Sequence, residues 1–235
     1  GSQAAISAAS VSDRRTRRPK VSVIQPLIGG SGGRKGVDGI DAIDTPFGFL
    51  RSNPVESVEQ EMPILVRRFG LVADSFGPGQ WRGGAALEIE MESRELEATF
   101  SVRGCDRFTF QPWGVSGGEA GNCGLGRRNG EPVSLIQVQK LGRGDRLYLR
   151  SPAGGGFGDP MQRDPAAVLA DVVEGLLTVE AALRDYGVAI HGLAVDAEAT
   201  AKARAGRMPR EGIFNFGARR RSYEQTWPTA ATIAL

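Results

Sequence analysis

The chain has 235 residues, 40% hydrophobic and 24% charged, which is enough apolar surface to bury a core in one large or two small domains. Its 29 basic and 27 acidic side chains leave a formal charge of +2, too balanced for the general field on which nucleic-acid or membrane-surface binding relies. Two cysteines, Cys105 and Cys123, stand in unrelated contexts without a CxxC spacing, which argues against a zinc site from this chain alone, and 33 glycines against 13 prolines ask for tight turns rather than disorder.

Residues 1–27 read as an N-terminal arm. "QAAISAASVS" is small and polar, and "DRRTRRPK" (13–20) is a local basic run, either a solvated tail or a contact for an acidic partner. No apolar run of ~18 residues occurs and the N-terminus lacks a signal peptide's apolar core, so the cytoplasm is the expected location. "VSVIQPLIGGSGGRKGVDGIDAID" (21–44) opens as an alternating strand and releases into a long glycine loop. "NPVESVEQEMP" (53–63) predicts a short helix, with Asn53 as N-cap, Pro54 at its first position, Glu56 and Glu59 in its opening turns and Pro63 beyond its end.

Five short apolar or alternating runs follow, at 64–75, 84–93, 96–104, 133–141 and 145–151, each bounded by Gly, Pro, Asp or Ser. They predict an antiparallel, β-rich layer, sandwich or barrel-like, over residues 28–160. From Asp164 the period changes. Val168, Leu169, Val172, Val173 and Leu176 recur at three- and four-residue intervals behind a capping Asp164 and Pro165, and Thr178, Ala182, Leu183 and Gly187 repeat the pattern as cap, inward pair and stop. A third short helix over 196–206 completes a helical segment at 161–206, and 207–235 is a C-terminal arm that docks or frays. The fold class is therefore α+β, a β-rich layer followed by a helical tail.

Two glycine-rich stretches raise the question of anion binding. "SPAGGGFGDP" (151–160) has uncovered backbone N–H groups, but lacks the Lys and hydroxyl of a GxxxxGK[ST] loop, and Pro160 and Pro165 interrupt a dinucleotide fingerprint, so a structural turn is expected. "IGGSGGRKGVDG" (28–39) carries Arg34 and Lys35 at its exit beside bare amides, and is either a turn or subunit contact or the lining of a substrate pocket. His191 is the single histidine and has no orienting partner in sequence; Cys105, between Arg103 and Arg107, has no base and reads as an inert thiol. Pro112, Trp113 and Gly114 form a rigid aromatic turn, a packing anchor or else a pocket wall or interface anchor. The residues by themselves contain no self-sufficient active site.

The ordered motifs "GGSGGRKGVDG", "RSNPVESVEQEMPILVRRFGLVADSFGPGQWRGG", "CDRFTFQPWGVSGG", "GDRLYLRSPAGGGFGDPMQRDP" and "DVVEGLLTVEAALRDYGV" resemble the C-terminal part of the hydantoinase B/oxoprolinase family, to which acetone and acetophenone carboxylase large subunits are related. The resemblance implies an ATP-dependent cyclic amidase built from more than one chain. An A-type partner with ATP and Mg phosphorylates an amide or enol oxygen, and the B-type chain completes ring opening with water, or carbon–carbon bond formation in the carboxylases. It also implies a divalent metal (Zn, Mn or Fe) on an N-terminal B-type portion whose motif resembles NDPYxGGTHxPD and does not occur here, so none is expected on this chain.

The implied partners are a hydantoinase A-like ATP-binding subunit, a chain carrying that metal motif, and a small cyclic amide or ketone, with neither nucleic acid nor membrane. Gly29, Gly30, Gly32, Gly33 and Asp38 match the family's glycine loop, Arg51, Asn53, Pro54, Glu56 and Glu59 its "TRNTPxExxE" stretch, Asp74, Arg82, Gly83 and Gly84 its "DSGGxGxxRGG", and Asp106, Arg107, Pro112, Trp113 and Gly114 its "SDRxxxPPWG". Gly48 and Phe49 stand where the family usually has polar residues. Expected substrate-binding positions are Gly29, Gly30, Gly32, Gly33, Arg34, Arg51, Asn53, Glu56, Asp106 and Arg107; no catalytic residue is assigned. A ketone carboxylase subunit or a non-catalytic structural subunit are the alternatives.

Overall fold

"LEIEME" (87–92) alternates apolar and acidic side chains, which in a strand gives one face to a core and the other to solvent. The computed structural model describes residues 5–12, 19–43, 51–103, 107–208 and 212–227. In it Leu87, Ile89 and Met91 point inward from strand β4 (Ala86–Ser93) and Glu88 and Glu90 outward, while Glu92 is buried and accepts from Arg67. β4 pairs with β3 (Ile64–Val72) on one side and β10 (Arg146–Arg150) on the other; β7 (Leu125–Arg128) and β8 (Glu131–Pro132) complete a five-stranded antiparallel sheet in the order β3-β4-β10-β7-β8. A one-residue bulge between Val66 and Arg68 shifts the β3 register.

A second antiparallel sheet has the order β2-β1-β5-β9, from β1 (Ala5–Ser12), β2 (Pro19–Leu27), β5 (Ala98–Arg103) and β9 (Gln139–Leu141). Between the sheets lies a hydrophobic core of Ile24, Leu27, Phe100, Val102 and Leu141 against Ile64, Leu87, Ile89, Met91, Leu147 and Leu149. Helix α1 (Val55–Glu61) closes one side with Val58, next to Met62. This is the sandwich-type layer expected, and no closed barrel forms among the described residues. Residues 5–12 and 19–27, within the stretch read as an arm, are strands of the second sheet.

Helices α2 (Pro165–Val173) and α3 (Val179–Tyr186) pack a second core against Phe76, Ala85, Ala86 and Ala153. Their caps are those the sequence specifies: Asp164 accepts from the Ala166 amide, Thr178 from that of Ala181, and Gly187 ends α3 at φ 62°. The inward faces differ from the periodicity in two places. Val173 and Leu183 are 61% and 46% exposed, while Asp171 and Tyr186 are buried. After a hairpin of β11 (Ala189–His191) and β12 (Ala194–Asp196) comes α4 (Ala197–Arg204), the third helix expected.

Two further predictions need correction. Of residues 133–141, only 139–141 form a strand; the rest loops over the sheet, where Leu135 covers Gly126 and the Gln139 amide donates to the Ser134 and Gln137 carbonyls. Asn53 does not cap α1. The helix starts one residue later from Pro54, and the Asn53 amide donates to the Ile24 carbonyl at 3.0 Å. At the C-terminal end, β13 (Phe214–Asn215) pairs with β6 (Gly114–Val115), and α5 (Gly217–Thr226) docks behind it.

Candidate functional site

A glycine accepts a neighbouring backbone at distances any side chain would forbid. The loop after β2, residues 82–85, residues 153–157 and residues 114–121 meet on that principle. Gly30 donates to Pro152 O at 3.1 Å, Gly33 to Gly155 O at 2.8 Å, Gly154 to Gly84 O at 2.8 Å and Gly156 to Glu119 O at 2.9 Å. A Cβ on Gly154 would lie 1.7 Å from Ser31 O, one on Gly84 2.0 Å from Ile40 O, and one on Gly118 2.2 Å from Gly156 O. "SPAGGGFGDP" is thus structural, as expected, but as a backbone seam rather than a turn: within it only Gly158, at φ 75°, is left-handed.

The same bonds correct the picture of bare amides in the 28–39 loop. The N–H groups of Gly30, Ser31, Gly33 and Arg34 are all bonded within the fold. What the loop presents is its tip, where Arg34 and Val37 exchange backbone bonds of 3.0 and 2.9 Å around Lys35 and Gly36, with Gly36 at φ 86°. Arg34 and Lys35 are exposed there.

Behind the tip lies a buried network of ion pairs. Arg163 grips Asp38 with both terminal nitrogens at 2.7 and 2.8 Å and reaches Asp171 at 2.8 Å. Arg82 donates to Asp171 at 2.8 Å and to both oxygens of Asp41 at 2.8 and 3.2 Å, while Asp41 also accepts the Ala85 amide and Asp38 the Arg82 amide. The Arg82 and Arg163 side chains are 8% and 4% exposed. Burial disfavours both guanidinium charges, but the carboxylates outweigh it, so both pKa values are raised. Phe76 lies under Arg82 at 4.8 Å. Tyr186, its hydroxyl pKa raised by burial, sits by Arg163, and neither its Oη nor Arg163 Nε has a hydrogen-bond partner among the described residues. The network ties the loop after β2 to α2.

Gly29, Gly30, Gly32, Gly33 and Arg34 therefore share one braced loop. Arg51, Asn53 and Glu56 are exposed at the start of α1, tied through Asn53 to β2, the strand that feeds the loop. Arg107 lies elsewhere, stacked 4.6 Å over Trp113, whose ring also meets Phe214 and Phe216 at 6.4 and 5.7 Å. Its turn meets the loop through the seam, since Gly155, the acceptor for Gly33, abuts Trp113 O. Cys105, Asp106, Gly48 and Phe49 fall outside the described residues.

Sequence reasoning missed Asp41, Arg163 and Asp171. An acid at position 171, three residues after Val168 on the apolar stripe of α2, was the signal that could have found the network. Asp74, matched only by resemblance, is also architectural: at φ 55° it accepts both the amide and the hydroxyl of Thr178 at 2.8 Å.

Chemically, the described residues offer cations at a rigid tip but no nucleophile–base pair. Cys123 is buried, which raises its thiol pKa, and His191 is exposed with only Asp196 near, at 3.7 Å. Asp38, Asp41 and Asp171 are spent on arginines, and no group of three or more His, Cys, Asp or Glu among the described residues is placed to hold a metal ion. Nor is any helix among them long and apolar enough to cross a membrane.

The described residues thus form a sandwich with a helical tail, joined by a glycine seam and presenting a basic loop. The hydantoinase B/oxoprolinase family model matches residues 1–160, and the chain belongs to that family. It is 39% identical over 169 residues to a putative B-type component of a D-/L-hydantoinase from Pseudomonas sp. (strain NS671), covering 69% of this chain and 28% of that protein. To the beta component of the caprolactamase of Pseudomonas jessenii it is 36% identical over 156 residues, covering 62% and 26%.

The crystal structure of the ATP-dependent caprolactamase from Pseudomonas jessenii superposes with a TM-score of 0.71 at 32% identity, covering 87% of this chain and 37% of that one. The nucleotide-free acetone carboxylase structure shares the fold, with a TM-score of 0.65 at 18% identity over 98% of this chain and 34% of that one. The chain thus spans only about a quarter to a third of the length of these relatives.

Proposed function

We propose that this chain is the C-terminal B-type component of an ATP-dependent cyclic amidase that opens a hydantoin, oxoproline or other lactam ring. The observation that carries it is the match to two relatives named as amidase components, together with a superposition on an ATP-dependent caprolactamase. An amide carbonyl is a poor electrophile because of resonance; phosphorylating its oxygen converts it into an activated one. That step belongs to an A-type partner with ATP and Mg. A divalent ion would be held by the portion or chain that bears the N-terminal B-type motif.

This chain's part is binding and orientation. The tip of the 29–39 loop and the Arg51–Glu56 stretch supply pocket walls, and Arg34, Lys35 and Arg51 supply positive charge toward an activated, anionic ring. The test is reconstitution with an A-type chain and a chain bearing the metal motif, assayed on hydantoin, oxoproline and caprolactam. Ring opening that needs ATP and all three components is expected, with turnover reduced in Arg51→Ala and Asn53→Ala while assembly is intact. Unchanged turnover in both variants would leave a purely structural subunit. The carboxylase reading has one observation in its favour, 28% identity to an acetophenone carboxylase delta subunit, and bicarbonate-dependent loss of a ketone in the same assay would select it.

A further inference from the structure

The outer face of the five-stranded sheet carries a groove of about 350 Å³ lined by Arg68, Glu90, Leu125, Arg127, Tyr148 and Arg150. Register places Tyr148 between Glu90 and Arg127, and Arg150 between Glu88 and Leu125. The carboxylate opposite Arg150 is already committed, since Glu88 accepts from Tyr148 Oη at 2.6 Å and from Arg68 at 3.3 Å. Glu90 lies across from Arg68, at the far side of the groove from Arg127. Arg150 donates to the Cys123 carbonyl at 3.1 Å, while its Nε is buried without a hydrogen-bond partner among the described residues.

Burial lowers the pKa of Arg150, and Arg127 and Arg219 add like charge. Neither of those has a carboxylate among the described residues; Arg219 donates to the Phe108 carbonyl instead. The contrast is with Arg82 and Arg163, whose burial is matched by three aspartates. A partly buried guanidinium with like-charged neighbours is costly unless an anion offsets its charge; Arg150 Nε is closed to solvent, so it is the charge, not that donor, that an anion in the groove meets.

We propose that this groove binds a small oxyanion, a carboxylate or phosphate group, between Arg127 and Arg150 beside the Tyr148 ring. The proposal does not rest on the amidase reading. It is tested on the full chain by thermal unfolding and isothermal titration with sodium phosphate and with sodium acetate, against chloride at matched ionic strength. Saturable binding with a rise in unfolding temperature is expected, weakened at least ~10-fold in Arg127→Ala and Arg150→Met and retained in Arg143→Ala, an exposed arginine elsewhere.

Without anion, Arg150→Met should unfold no lower than the parent chain. Response to both probes supports the shared chemistry, response to phosphate alone a phosphate ester, and response to acetate alone a carboxylate. No saturable response to either, or full response in Arg127→Ala, whose exposed position leaves the fold intact, would overturn the proposal.

Discussion

At the scale of single residues, the glycines separate into those that supply a conformation and those that supply space, and substitution distinguishes them. Gly154→Ala places a methyl 1.7 Å from Ser31 O, which the seam cannot yield to, and is expected to cost more than ~4 kcal/mol or prevent folding. Gly70→Ala meets nothing within 4 Å, in a strand, and should be neutral or stabilising by up to ~1 kcal/mol. Urea unfolding of the two variants checks both. A second residue-scale expectation concerns acid. Asn129, the Gly142 amide and Arg128 hold Asp145 at about 2. A carboxylate depressed on folding contributes stability that is present above its ordinary value and lost as pH falls through the folded one. Asp145→Asn should therefore flatten the loss of stability between about pH 4 and pH 2, and the Asp145 titration followed by NMR should fall near the lower end.

At the scale of elements, legibility followed period and punctuation. The strands of "ILVRRFGLV" and "LEIEME" and the helices behind Asp164 and Thr178 could be read because alternation, caps and prolines are local signals. The β7–β8 hairpin had a signal that went unread, Asn129-Gly130, whose φ values of 51° and 88° form the turn. The loop at 133–138 has apolar residues but no partner strand, which sequence spacing does not reveal. The buried Arg82–Asp171–Arg163 network links positions 89 and 8 residues apart, so only the inward-facing acid on α2 hinted at it. The C-terminal segment read as an arm docks because Trp113 meets Phe214 and Phe216, and Phe110 meets Tyr223. Trp113→Ala should then raise hydrogen exchange of 214–226 at least ~10-fold, with the protection of β4 and β10 unchanged.

At the scale of the whole molecule, the family was legible from ordered motifs, yet several of the motif residues prove to be architectural. Asp38, Asp74, Arg82, Gly83 and Gly84 fasten loops to one another and to the helical tail, leaving the exposed Arg34, Lys35 and Arg51 as the groups offered outward. That braced loop and its exposed cations are the surface on which the proposed amidase role rests. The most direct test is native mass spectrometry with metal analysis on the untagged protein purified from its source. Co-purification with a larger ATP-binding chain and a metal-bearing chain is the expected result. A metal-free species that binds neither would contradict that role.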